Sequence, residues 1–184
     1  MRARHTETTT SNRGMRPTDT DIIRDEIIDW LRDAYAMERG LEQSLKKQSD
    51  SEQASAQIRN RASTHLEETR RHAEELRSVL QALGTDTSAL KTGVGMMAQM
   101  TKGLGSKFAS DERIKDLLDA YAMEHFEIAC YTSLAAAAEK AGMQQVVDVC
   151  RRIIPDEERM AESLRNALPE ETSTYLFEVQ SHNG

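Results

Sequence analysis

Residues 25–38 read DEIIDWLRDAYAME, and residues 111–124 read DERIKDLLDAYAME. Aligned without gaps, ten of the fourteen positions are identical, and the final six match throughout. One stretch of chain therefore occurs twice, 86 residues apart. Stacked-repeat proteins recur every ~20–50 residues, so this longer period points to a duplicated hairpin rather than a solenoid. Duplication also sets equivalent groups face to face across a pseudo-symmetry axis. A pair of cations can acquire a symmetric set of ligands in that way.

The rest of the chain predicts what the repeated unit is made of. Three prolines and 4% aromatics, with much Ala, Leu, Glu, Arg and Gln, favour helix over sheet. Residues 1–17 have no apolar period and are expected to form a disordered polar tail. Thr18 with Asp21 reads as a capping box opening a helix over about 20–48. Ser49-Asp50-Ser51-Glu52 is a turn signal, and a second helix is expected over about 53–83, stopped by Gly84. Residues 84–109 form a long glycine-containing connector, whose Met96, Met97 and Met100 are expected to fill gaps under a loop. Ser110 then caps a third helix ending near Gly142, and a fourth runs over about 143–168 before Pro169, leaving 169–184 as a tail. The expected fold is all-α: one domain over 18–168, a four-helix bundle of two duplicated helical hairpins with a long central crossover. That is the topology of a ferritin-like bundle.

Composition excludes several functions. The chain of 184 residues carries 31 acidic and 24 basic side chains, for a net charge of −7. A surface this acidic predicts no nucleic acid partner, because phosphate binding needs a basic face. No run of about 18 apolar residues occurs, which predicts no membrane-spanning helix. The first fifteen residues lack the apolar stretch of a secretory signal, and two cysteines do not make a disulfide scaffold. A cytoplasmic setting is the expectation, with Cys130 and Cys150 as buried small residues rather than a bridge.

Inward-facing stripes carry charge in their middles. Helix one gives Ile28, Leu31, Tyr35 and Glu38 at alternating spacings of three and four, and helix three gives Ile114, Leu117, Tyr121 and Glu124, with Glu127 beside them. Helix two gives Leu66, Thr69, Ala73 and Leu76, flanked by Glu68 and His72. Helix four gives Ile153, Glu157, Met160 and Leu164, with Glu158 alongside. Depth in an antiparallel hairpin follows from the midpoint of a residue pair. Glu38 and Glu68 share a midpoint at residue 53, and Glu124 and Glu158 share one at 141, so both pairs are level in their hairpins. Glu38 with His72 gives 55, and Glu124 with Glu162 gives 143. An unpaired carboxylate inside a bundle is very costly, so several together call for cations.

HLEET at 65–69, EHFEIACY at 124–131 and the EE of 157–158 resemble the YciE/YciF-like branch of the ferritin-like superfamily, over about residues 22–168. The resemblance implies a dimeric four-helix protein with a dimetal-carboxylate centre, linked to stress responses. Carried over by position, it implies Glu38, Glu68, Glu124, Glu127 and Glu158 as metal ligands. His72 stands where a glutamine is usual, and Glu162 where an aspartate is; both join the candidate set. Glu67, Glu74, Glu75 and Glu157 are assigned to the solvated face, and His65 to the surroundings of the site. Tyr35 and Tyr121 are expected in the core, with hydroxyls reaching a carboxylate. Pro155 departs from the family pattern and predicts a bend or break between Arg151 and Glu158.

A ligand set of at least five carboxylates, with one or two imidazoles and no thiolate, suits Fe or Mn better than Cu(I) or structural Zn. The expected cofactors are two Fe or Mn ions, with Fe favoured, in a protein redox-active toward Fe(II), dioxygen or peroxide. The alternative is a dimeric structural or partner-binding bundle with a non-catalytic or vestigial metal site. A second apolar stripe on helix one (Ile23, Ile27, Trp30, Ala34, Met37, Leu41) exceeds what one core needs and predicts a homodimer either way.

Overall fold

The computed structural model describes residues 18–52, 55–85 and 112–182. Four helices fill them: α1 (Asp19–Ser49), α2 (Ala56–Ala82), α3 (Glu112–Lys140) and α4 (Gln144–His182). No strand occurs among the described residues. The polar tail over 1–17, Ser110, and most of the connector with its methionines lie outside them.

Local chemistry fixes the ends. Thr18 Oγ1 accepts from the Asp21 amide at 3.2 Å, and the Asp21 carboxylate accepts from the Thr18 amide at 3.0 Å, so the capping box is complete. Ser55 caps α2 by accepting from the Ile58 amide at 3.2 Å. Helices α2 and α3 end in the same motif. The Met143 amide donates to Ala138 O at 2.9 Å and the Gly142 amide to Glu139 O at 3.2 Å; Thr85 to Leu80 O and Gly84 to Gln81 O repeat the pattern. This ending needs a left-handed residue, and Gly142 (φ 69°) and Gly84 (φ 76°) supply it.

Helix α4 departs from expectation. It runs unbroken through Pro155 and past Pro169 to His182, so neither a break at residue 155 nor a tail from residue 169 is present. Both prolines sit on the exposed face, where water can take up the carbonyls they leave without a donor. Beyond Pro169, Ser173 Oγ donates to Pro169 O at 2.8 Å and Arg113 Nη1 to Glu178 Oε1 at 3.2 Å, tying the extension to itself and to α3.

The hairpins α1/α2 and α3/α4 pack tightly within themselves and join through α1 against α3 and α2 against α4. The larger apolar cluster fills one end, uniting Ile27, Ile28 and Leu31 with Leu76 and Leu80, Leu134 and Ala138, and Val146 and Ile153. Truncating a fully buried Leu31, Leu76 or Leu80 to alanine would cost about 2–5 kcal/mol. A smaller cluster of Leu117, Met160, Leu164 and Ala167 joins α3 to α4 at the other end. Tyr35 packs against the first cluster and Tyr121 against the second. The second stripe of α1 divides: Ile27, Ala34 and Met37 are buried in the chain's own core, while Ile23 and Trp30 are 52% and 41% exposed. Cys130 and Cys150 are unbridged, and burial pushes the Cys150 thiol up to about 12. No helix among the described residues is long and apolar enough to cross a membrane.

Candidate metal centre

Between the two apolar clusters lies a layer of buried polar side chains drawn from all four helices. Helix α1 supplies Glu38, α2 supplies His65, Thr69 and His72, α3 supplies Glu124 and Glu127, and α4 supplies Glu157. None is more than 5% exposed. Glu38 and Glu124 are the closing residues of the repeated segment, so the duplication delivers a carboxylate from each hairpin to the same layer.

Two constellations of donor atoms emerge, Glu38–His72–Glu157 and His65–Glu124–Glu157, each with its atoms within 4.8 Å of one another. Glu157 belongs to both. Its Oε1 lies 2.9 Å from His72 Nδ1, and its Oε2 lies 3.6 Å from His65 Nε2. His72 Nδ1 is 3.6 Å from Glu38 Oε1, and His65 Nδ1 is 3.5 Å from Glu124 Oε1. Tyr131, fully buried on α3, donates its hydroxyl to Glu38.

Electrostatics show a site short of positive charge. Burial holds the Glu38 carboxyl above its usual range, against the pull of His72. Burial and the neighbouring Glu157 charge take Glu124 up to about 10, and burial with Glu38 and Glu157 raises Glu127 well above its ordinary value. Burial opposes charge on His72, yet Glu157 and Glu38 outweigh it and hold the imidazole up to about 10. Burial likewise opposes ionisation of Glu157, but His65 and His72 bring it down to about 2.

Polar atoms in this layer make no well-formed hydrogen bond: Glu38 Oε2, Glu124 Oε2, both oxygens of Glu127 and of Glu157, His65 Nε2, His72 Nδ1 and Thr69 Oγ1. Buried groups without hydrogen bonds are rare because each costs about 1–3 kcal/mol, and more when charged. Eight of these are carboxylate or imidazole atoms, and their convergence in one layer fits divalent cations, which take oxygen and imidazole nitrogen together.

Of the seven residues expected as ligands, the structure brings Glu38, His72, Glu124 and Glu127 into the layer. Glu158 and Glu162 are exposed on α4, and Glu162 pairs with Arg165 at 3.2 Å. Glu68 is half-buried at the rim, 3.5 Å from Arg159. Glu157, assigned above to the solvated face, occupies the interior position instead, because it lies in phase with Ile153, Met160 and Leu164. His65 is the second residue that sequence reading left out. A signal for it existed: His65, Thr69, His72 and Leu76 follow spacings of four, three and four on one face of α2.

Comparison with known proteins agrees with this architecture. The family described as a domain of unknown function, DUF892, matches residues 23–177. A solved protein from Xanthomonas campestris pv. campestris is 30% identical, has a TM-score of 0.71, and is covered over 99% of its length by 86% of this chain. YcfI from Rhodopseudomonas palustris is 26% identical with a TM-score of 0.63, over 82% of this chain and 98% of that one. The Escherichia coli stress protein YciF, at 20% identity and a TM-score of 0.69 over 82% of this chain and 97% of its own, shares the fold. The chain belongs to the DUF892 family, the YciE/YciF-like branch whose motifs it carries, and folds as a ferritin-like four-helix bundle.

Proposed function

We propose that the chain is a dimetal-carboxylate protein that holds two Fe or Mn ions, Fe favoured, and is redox-active toward Fe(II), dioxygen or peroxide. One observation carries the reading: carboxylate and imidazole atoms of Glu38, His65, His72, Glu124, Glu127 and Glu157 that make no well-formed hydrogen bond converge in a single buried layer. When bound, a pair of iron ions would supply two electrons, the number that reduction of a peroxide takes up. The chain's own residues do the rest. Glu157 reaches both constellations, so one carboxylate links them. Tyr131 holds a phenolic proton against Glu38, with burial keeping that phenol well above its ordinary range. The apolar clusters on either side exclude bulk water from the layer. The resemblance to the YciE/YciF-like branch adds a stress-response role and a homodimer to the same proposal, and composition adds a cytoplasmic setting.

Metal analysis of protein purified without chelator or added metal tests it, with about two ions per chain expected. Glu38→Ala with Glu124→Ala should lose that metal while far-ultraviolet circular dichroism still reports a helical bundle, because the apolar clusters remain. Unchanged metal content in the double variant would sink the proposal. A second reading, a structural or partner-binding bundle, is favoured by the apolar side chains on the α4 extension, where Leu176 and Phe177 are 56% and 71% exposed. Absence of bound metal would bring that reading forward.

A further inference from the structure

The two constellations are not supported alike. In the one built from Glu38, His72 and Glu157, two of the three side chains are held by further residues, Glu38 by Tyr131 and His72 by Asp156. Tyr131 donates to Glu38 Oε1, and Oε2 of the same carboxylate is left without a partner. Asp156 Oδ2 lies 3.1 Å from His72 Nε2, and Arg71 and Arg159 hold that aspartate from its other sides. A carboxylate only accepts, so the proton of the Asp156 contact belongs to Nε2. The nitrogen turned toward Glu38 and Glu157 is Nδ1. A carboxylate behind an imidazole in this way fixes its tautomer and ring orientation, and raises its basicity toward a cation.

The other constellation lacks such backing among the described residues. His65 sits 3.5 Å from Glu124 and 3.6 Å from Glu157, both longer than a good hydrogen bond. His65 Nε2 and Glu124 Oε2 are without partners. The sequence shows the same asymmetry. Residues 67–80 (EETRRHAEELRSVL) align without gaps to residues 155–168 (PDEERMAESLRNAL), with six of fourteen positions identical. Three of the eight differences fall at the site: Thr69 stands opposite Glu157, Met160 opposite His72, and Glu68 opposite Asp156. On α1 and α3 the duplication kept its layer carboxylates, Glu38 and Glu124, while on α2 and α4 the layer positions diverged.

We propose that the two cation positions are inequivalent: Glu38, His72 and Glu157, with Tyr131 and Asp156 as positioning residues, form a pre-organised tight site, and His65 with Glu124 completes a weaker one. This rests on the metal-holding reading above and adds an order of loading to it. Pre-organisation favours the first position because little side-chain freedom is lost when a cation arrives, whereas His65 must still be drawn into place.

Titration of the metal-free, full-length chain with Mn(II), followed by calorimetry and electron paramagnetic resonance, tests the proposal. The wild type should bind in two steps, the first at least about tenfold tighter. Up to one equivalent, the spectrum should be that of an isolated Mn(II); beyond it, a spin-coupled signal should replace it. His65→Gln should remove the second step and leave the first. In that background, Asp156→Asn should weaken the remaining step by about 10–100-fold, with partial recovery in Asp156→Glu. Tyr131→Phe should weaken the same step. Arg159→Ala, which loosens Asp156 without touching His72, should give a smaller loss and serves if Asp156→Asn does not fold. Two equal steps in the wild type, a second step that survives His65→Gln, or an Asp156→Asn effect that is absent would overturn the inequivalence. A wild type that binds no Mn(II) would instead overturn the metal-holding reading itself.

Discussion

One residue along a helix is about 1.5 Å of rise but about 100° of turn, and on α4 that rotation decides which glutamate faces a cation. Glu157 and Glu158 are nearly level, yet the first is 1% exposed and the second lies on the solvent face. Glu157→Gln keeps the shape and removes the charge, so metal binding should weaken by about 3–5 kcal/mol, on the order of two to four powers of ten. Glu158→Gln should leave the affinity unchanged, and calorimetry on the two variants would reverse the assignment if the effects were swapped. The same rotation explains what could be read from the sequence at the site. Midpoints of residue pairs resolve height and put the cluster at the correct level, but they do not resolve azimuth. The apolar stripe does resolve azimuth, and it already held Glu157 and Thr69 in line, with Glu158 and Glu68 beside them. Where height and phase disagree by one residue, phase decides, because burying the wrong neighbour would turn an apolar residue outward. Glu38 and Glu124 needed neither argument, since the repeat itself pairs them.

At the scale of the element, the helix ends were legible wherever a side chain or a glycine performs the capping. Thr18, Gly84 and Gly142 each terminate a helix by a short-range hydrogen-bond pattern that the local sequence dictates. The prolines were misleading for a physical reason. A proline's cost in a helix depends on whether the carbonyl it abandons can reach water, and sequence alone does not say which face that carbonyl is on. Pro155 is exposed and α4 continues through it, so its cost is the missing bond and the ring's clash, partly offset by the stiffness it gives the unfolded chain. Pro155→Ala should therefore stabilise the metal-free protein by about 1–2 kcal/mol, which for a chain of this size raises the thermal midpoint by roughly 2–8 °C. Metal stoichiometry should not change. A lower midpoint in the variant would mean that Pro155 shapes the helix to aim Asp156 and Glu157 inward.

The described residues form two apolar clusters separated by a polar layer, and the protonation of that layer ties the stability of the whole molecule to pH. Burial raises Glu38, Glu124 and Glu127 above their ordinary value of 4.5, with Glu124 near 10. A carboxyl raised on folding is satisfied while protonated, so its contribution is whole below pH 4.5 and is lost as pH climbs toward the folded value. His72 acts in the same sense: its folded value of about 10 exceeds the ordinary 6.5, so its contribution is whole below 6.5 and disappears by about 10. Glu157 acts in the opposite sense, since its value falls to about 2, but that contribution is already whole above 4.5 and is lost only in acid. Between pH 5 and 9 the metal-free chain should therefore lose stability steadily. Cations reverse the trend, because they require the deprotonated ligands and release protons as they bind, so their affinity grows with pH. A ligand that binds only the folded state stabilises it in proportion to the logarithm of its concentration over its dissociation constant. The thermal midpoint with Mn(II) minus that in chelator should thus be small near pH 5.5 and widen continuously toward pH 8.5. Differential scanning calorimetry across that range, in both conditions, measures it directly. A chelated protein whose midpoint stays level or rises with pH would show that the carboxylates of the layer are hydrated and ionised in the folded chain, and the dry, cation-requiring layer would have to be abandoned.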